Sequence, residues 1–177
     1  MLAATACMCM SAAAQNLEND AMNGKKTLVA YFSATGTTER VAEMIAEATG
    51  GTLYEITPEK EYTAADLNWR NESSRSSVEM HDLSFRPAIV RDLKNAGDYD
   101  VIYIGFPIWW NLAPTVVNTF IEAYGFEGKT MIPFATSGGS GITNSAAQLK
   151  KQYPDINWQS GKLLNNSSWA DIEVWVK

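Results

Sequence analysis

The chain has 177 residues, 46% of them hydrophobic and 19% charged, enough for one ordinary domain with a sizeable core and too few for a second. Its net charge of −6 argues against nucleic acid or an anionic membrane as partner, since either requires a basic surface, and suits a partner protein with a basic docking face. Cys7 and Cys9 are the only cysteines and His81 the only histidine, so the remainder offers no disulfide, thiol nucleophile or cysteine metal ligand.

Met1 to Ala14 carry no charge and end in Ala12-Ala13-Ala14 before Gln15, the small-residue pattern of a signal-peptide cleavage site. Residues 1–14 are expected to be a secretory signal remnant, which would make the protein exported and periplasmic. The alternative is an extension before an internal start such as Met22, which leaves it cytoplasmic. The segment is too short to span a bilayer, and no stable membrane insertion is expected. Residues 15–26, polar with Asn16, Asn19, Asn23 and Gly24, are expected to be a flexible lead-in to one domain over residues 27–177.

Thr27 to Phe32 is an almost unbroken apolar run, as a strand buried on both faces would be. Val41, Met44, Ile45 and Ala48 then recur at helical spacing, so a helix is expected to start at Thr37 or Thr38. Between them lie Ser33, Ala34, Thr35, Gly36, Thr37 and Thr38. A helix N-terminus presents unpaired N–H groups and partial positive charge to an anion. Four hydroxyls add donors, and Gly36 permits a turn that a Cβ would obstruct. The absence of Lys and Arg from this loop suits a monophosphate better than a triphosphate, which usually needs Lys and Mg²⁺. The plain alternative is that Thr37 or Thr38 simply caps the helix.

Gly50-Gly51 ends that helix, and Thr52 to Ile56 reads as a polar strand near a sheet edge. Thr63-Ala-Ala-Asp66 resembles a capping box opening a helix through Leu67 and Trp69 towards Met80, with Asp92-Leu93 in a last turn before Gly97. This segment could cover a ligand or pack as a plain crossover. His81 is expected to be a surface or capping group.

Tyr99 to Ile104 is a strong buried strand, followed by Gly105-Phe-Pro107-Ile108-Trp109-Trp110-Asn111. Pro114 suits a first helical position, with Val116, Val117, Phe120, Ile121 and Tyr124 as the apolar stripe. Thr130 to Ala135 is the next strand and ends in Thr136-Ser137-Gly138-Gly139-Ser140-Gly141. A helix over residues 143–152, a weaker strand from Trp158 to Leu164 and a final helix capped by Ser168 complete the chain. Alternating strands and helices imply a parallel sheet covered on both faces, with the three unusual loops along one sheet edge. Gly128-Lys129-Thr130 precedes a strand instead of following one, which argues against a nucleotide P-loop. Gly138 to Ile142 lacks the last Gly of a nucleophile elbow and no His follows it, which disfavours a hydrolase.

Taken together, residues 27–177 resemble the flavodoxin-like family. Ser33-Ala-Thr-Gly-Thr-Thr38 is similar to the family's phosphate loop, Gly105-Phe-Pro-Ile-Trp-Trp110 is similar to its flavin-flanking segment, and the Pro107-Ile-Trp-Trp110 form together with the third loop looks like a bacterial branch that includes exported members. The resemblance implies a three-layer α/β/α sandwich on a five-stranded parallel sheet in the order 2-1-3-4-5. It implies FMN as cofactor, with Ser33, Ala34, Thr35, Gly36, Thr37 and Thr38 on the phosphate. Pro107, Ile108, Trp109, Trp110 and Asn111, with Thr136, Ser137, Gly138, Gly139 and Gly141, would bracket the isoalloxazine ring. The third loop departs from the family in having no aromatic residue. No acid or base accompanies the loops, so no catalytic residue is expected.

A flavin walled by indole in an acidic protein, with no cation beside it, resists the last negative charge, which suits an electron-transfer protein. The closest rival is an FMN-dependent oxidoreductase acting on NAD(P)H and a quinone, which needs an open flavin face. A non-redox binding domain on the same fold is the third reading. Glu55, Glu59, Glu61 and Asp66 could steer a basic partner or form a solvated face.

Overall fold

The computed structural model describes residues 24–177, in which the apolar run after Lys26 forms β1 (Thr27–Tyr31). The expected signal remnant and residues 15–23 of the lead-in lie outside the described residues. There follow α1 (Thr37–Thr49), β2 (Thr52–Glu55), α2 (Arg75–His81), a 3-10 turn (Ala96–Asp98), β3 (Val101–Pro107) and α3 (Thr115–Tyr124). The chain closes with β4 (Thr130–Thr136), α4 (Thr143–Gln152), β5 (Asn157–Trp158), β6 (Lys162–Leu163) and α5 (Trp169–Val176). All strands pair in parallel in the order β2-β1-β3-β4-β5, with β6 also on β4, which is the expected order.

Strand alternation sorts the core into two layers. Leu28, Ala30 and Phe32 join Val116, Phe120 and Leu149 of α3 and α4 on one face. Val29 and Tyr31 join Val41, Ile45 and Ile172 of α1 and α5 on the other. Because β2 lies on one side of β1 and β3 on the other, the sheet changes direction between β1 and β3, and a crevice opens where their following loops diverge.

The expected fifth strand is broken in two, for a reason that lies in β4. Thr130 N–H donates to Asp100 C=O on the β3 side, while Met131 C=O accepts from Gln159 N–H on the outer side. Alternation therefore aims Pro133 outward, where it has no N–H to give. The outer line is interrupted there, and Gly161 passes so close that a Cβ would lie 2.8 Å from the Pro133 carbonyl oxygen.

The crossover from β2 to β3 departs furthest from expectation. Thr63 and Asp66 make the reciprocal bonds of a capping box, with Asp66 N–H donating to Thr63 Oγ1 at 3.2 Å and Thr63 N–H to Asp66 Oδ2 at 2.9 Å. Only turns follow. Asn68 Oδ1 takes the N–H of Arg70 at 3.2 Å and Asn71 Oδ1 that of Ser73 at 3.0 Å, so side chains claim donors a helix would need. The helix starts afresh at Ser74, whose side chain accepts from Ser77 N–H. The excursion closes at a neck where Glu59 N–H donates to Ala88 C=O and Val90 N–H to Thr57 C=O, both at 2.9 Å. Asp92 and Leu93 are not helical, and Pro114 is the N-cap of α3 instead of its first residue.

Gly105 sits in mid-β3 beneath the fully buried Phe134 ring, 2.1 Å from where a Cβ would stand. A ring held in a packed core cannot yield that distance without strain. Gly105→Ala is expected to destabilise the protein by roughly 2–3 kcal/mol, lowering the melting midpoint by about 5–10 °C in a thermal scan.

Candidate functional site

The loop after β1 turns at Gly36, whose φ of 81° is left-handed, and α1 begins at Thr37 with no side chain bonded across its N-terminus. The threonines divide the work. Thr35 and Thr37 are exposed, while Thr38 is 1% exposed and shares a 2.9 Å hydrogen bond with Thr136, itself 4% exposed. This bond ties the first loop to the end of β4. The Ser33 hydroxyl is buried without a partner among the described residues, a costly state for a polar group unless something meets it.

The loop after β3 is a tight hairpin. Trp109 and Leu112 exchange backbone bonds at 3.0 and 2.9 Å, and the two residues between them, Trp110 and Asn111, have φ of 46° and 67°. Two left-handed central residues make this a type I′ turn, for which Asn is well suited and Trp is not. The turn parts the two indoles. Trp109 faces inward, edge-on to Phe32 at 5.6 Å and to Tyr62 at 5.3 Å, whereas Trp110 is 41% exposed and lies beside His81. The Asn111 carbonyl accepts from Ser145 Oγ at 3.0 Å, anchoring the turn to α4.

These two loops line a cavity of about 420 Å³, through Ala34 and Thr35 from the first and Pro107, Ile108, Trp109 and Trp110 from the second. Its remaining wall is Leu67, Trp69 and Ser76 of the crossover, the segment that the sequence left open between covering a ligand and plain packing; Ser76 was not singled out there. The third loop stands to one side. Asn165 clasps Ser137, accepting its N–H at 2.7 Å and donating to its carbonyl at 2.8 Å, while Ser137 Oγ accepts from Gly139 and Ser140 N–H. Gly138, Gly139 and Gly141 are exposed, and none of them borders the cavity.

Behind the crossover wall sits a buried pair that sequence reading also missed. Arg75 Nε donates to Glu79 Oε1 at 2.6 Å with side chains 17% and 3% exposed, and Tyr62 also donates to Glu79. The guanidinium lies 4.0 Å over the Tyr62 ring, which packs in turn on Trp109. A cation therefore does stand near the slot, contrary to the expectation, although Glu79 balances it. Helical i,i+4 spacing of an Arg and a Glu was the available signal, obscured because that pattern usually marks an exposed face. His81 is exposed, its Nδ1 2.7 Å from Ser77 C=O, as a surface and capping group would be.

On the far side of the first loop, burial first and then the Glu39 and Glu61 carboxylates raise the Glu55 carboxyl above its ordinary value. Burial first, then the Glu55, Glu39 and Glu43 carboxylates, with Glu39 accepting from it at 3.4 Å, likewise raise the Tyr31 hydroxyl. Glu39 stands at the first turn of α1, so negative charge gathers at the rim of the crevice.

A profile of the flavodoxin family matches residues 26–177. A candidate flavoprotein from Bacteroides eggerthii DSM 20697 is 58% identical, with a TM-score of 0.84 over 86% of this chain and 96% of its own. Another from Bacteroides uniformis ATCC 8492 is 59% identical at the same TM-score, over 86% and 98%. A flavoprotein in complex with FMN from Lactobacillus acidophilus NCFM shares the fold at 22% identity and a TM-score of 0.68, over 87% and 100%. No curated protein matches.

Two outcomes follow from this geometry. Asn111→Gly is expected to leave the melting midpoint unchanged or raised, whereas Asn111→Ala, strained at positive φ, should lower it by about 2–4 °C, near 1 kcal/mol. A carboxyl raised in the folded state adds stability at low pH that is lost as pH rises through its folded value. Glu55→Gln should therefore raise the midpoint near neutral pH by about 1–2 °C, after allowance for solvent screening. The gain should vanish towards about pH 4, where Glu55 is protonated, and shrink at about 0.5 M salt.

Proposed function

Since the chain belongs to the flavodoxin family, we propose that it binds FMN in the crevice between β1 and β3 and carries electrons between proteins. The observation that carries this reading is one crevice joining an uncapped helix N-terminus, free of Lys and Arg, to an apolar slot walled by Trp69, Trp109 and Trp110.

The residues present fit the group. A phosphate at the start of α1 meets backbone N–H groups and the partial positive charge of the helix, with Gly36 admitting a close approach. Ser33 offers the buried hydroxyl that lacks a partner, and Thr35 and Thr37 offer exposed ones. Thr38 acts behind the loop by holding it to Thr136. The slot volume lies within the range of cofactor sites, and its indoles suit a flat aromatic ring. Ser137, Gly138, Gly139 and Gly141, on a loop fixed by Asn165, stand outside the slot lining, so the grip on the ring falls to the loops after β1 and β3 and to the crossover.

When bound, FMN supplies one- and two-electron redox chemistry. The protein's part is to hold and shield it. Trp109 is braced by Phe32 and Tyr62 and keeps water from the inner wall. Trp110 and Trp69, 41% and 66% exposed, form the mouth through which an electron can leave. The Glu39, Glu55 and Glu61 carboxylates near the first loop support a partner with a basic docking face, by steering its approach. The same exposed mouth favours a second reading, an oxidoreductase that admits a nicotinamide or quinone over the ring.

The test is the visible absorption spectrum of the purified protein with FMN, recorded anaerobically before and after NADH or NADPH. A carrier retains one FMN per chain, stays oxidised with both nucleotides and is reduced by a one-electron donor. Rapid bleaching by either nucleotide would make it a reductase, and failure to retain FMN would defeat both readings.

A further inference from the structure

The crossover between β2 and β3 is the part of the chain least explained by a plain connection. It makes a closed excursion, buries an ion pair and a tyrosine, and yet spends only one short helix on covering the sheet. What it builds is the outer wall of the slot. Along that wall, Ser76 is 2% exposed, borders the cavity, and has no hydrogen-bond partner for its hydroxyl among the described residues.

A fully buried hydroxyl without a partner is rare, because nothing replaces the water it gave up. Its position is not loose. Ser76 N–H donates to Asp66 C=O at 3.0 Å, and the neighbouring Arg75 is bound both to Glu79 and, at 2.7 Å, to the Lys60 carbonyl. Tyr62, bonded to the same Glu79, packs directly on Trp109, which lines the slot. The ion pair thus ties the crossover to the Trp109 wall, and Ser76 stands in the crossover wall of the slot with its hydroxyl just beneath the lining surface.

We propose that Ser76 is a ring-binding residue, its hydroxyl making a buried hydrogen bond to a polar edge atom of the flavin ring. The inference rests on the FMN reading above and adds that the crossover, as well as the loops after β1 and β3, grips the cofactor. A serine hydroxyl can donate to a ring carbonyl or nitrogen, or accept from a ring N–H, and all are available on a flavin edge. The phosphate and the ring are then recognised by separate parts of the chain, which makes the proposal separable in experiment.

The full-length protein, freed of flavin, would be titrated with FMN and with riboflavin by fluorescence, as wild type, Ser76→Ala, Ser76→Cys and Thr37→Ala. Ser76→Ala is expected to weaken both ligands equally, by roughly 3- to 12-fold, the worth of one neutral hydrogen bond, and to shift the bound visible band. Ser76→Cys, a poorer hydrogen-bonding group, should weaken both in the same way. Thr37→Ala should weaken FMN while leaving riboflavin unchanged. The flavin-free melting midpoint of Ser76→Ala should be unchanged or higher, since the hydroxyl has no partner to lose. Wild-type affinity in Ser76→Ala would overturn the proposal while leaving the FMN reading in place. A lowered flavin-free midpoint, or loss of folding, would assign the hydroxyl to the fold and overturn it equally. Wild-type protein that binds neither ligand would overturn the FMN reading itself, and this inference with it.

Discussion

The parting of the chain at the carboxyl ends of β1 and β3 is the constraint on which the rest depends. Parallel pairing of these strands puts their following loops on the same sheet edge, and the change of direction between them keeps any crossover from filling the gap. Alternation then decides what each side of the gap is made of. Phe32 falls on the α3 and α4 face and becomes the brace for Trp109. Tyr31 falls on the α1 and α5 face among acids. An apolar slot and a charged rim thus arise from neighbouring residues of one strand.

Rigidity in this region comes from unusual places. The Thr38 to Thr136 bond joins the first turn of α1 to the end of β4, which no strand ladder joins. The type I′ turn at Trp110 and Asn111 accepts backbone strain to send one indole inward and the next outward. The Arg75 to Glu79 pair, buried beneath the crossover, is weak evidence for added stability by itself, because desolvating two charges offsets most of their attraction. Its effect is positional, since losing either partner would leave a buried charge and release the wall that carries Trp69 and Ser76.

Much of the fold was legible because apolar periodicity reports burial directly. The runs Thr27 to Phe32, Tyr99 to Ile104 and Thr130 to Ala135 read as buried strands and hold β1, β3 and β4, with β3 beginning later, at Val101, and the helix over residues 143–152 has the expected bounds. The crossover was not legible for the opposite reason. Its capping box at Thr63 and Asp66 forms, but helix propagation is settled by competition for backbone donors, which Asn68 and Asn71 win locally. The break in the last strand was equally hidden, since Pro133 interrupts a neighbour instead of its own strand. Which side of the ladder it faces is known only once register is set.

By itself the sequence determined the order of elements, the three loops at one sheet edge, and an anion cradle free of basic residues at the start of α1. Those features depend on local pattern and chain connectivity, which a sequence records. Only the tertiary structure decided that Trp109 points in and Trp110 out, that Thr38 holds Thr136, that Arg75 and Glu79 are buried together, and that Leu67, Trp69 and Ser76 complete the slot. Each of these rests on contact between segments distant in the chain, or on a turn whose backbone is strained, and neither leaves a periodic trace.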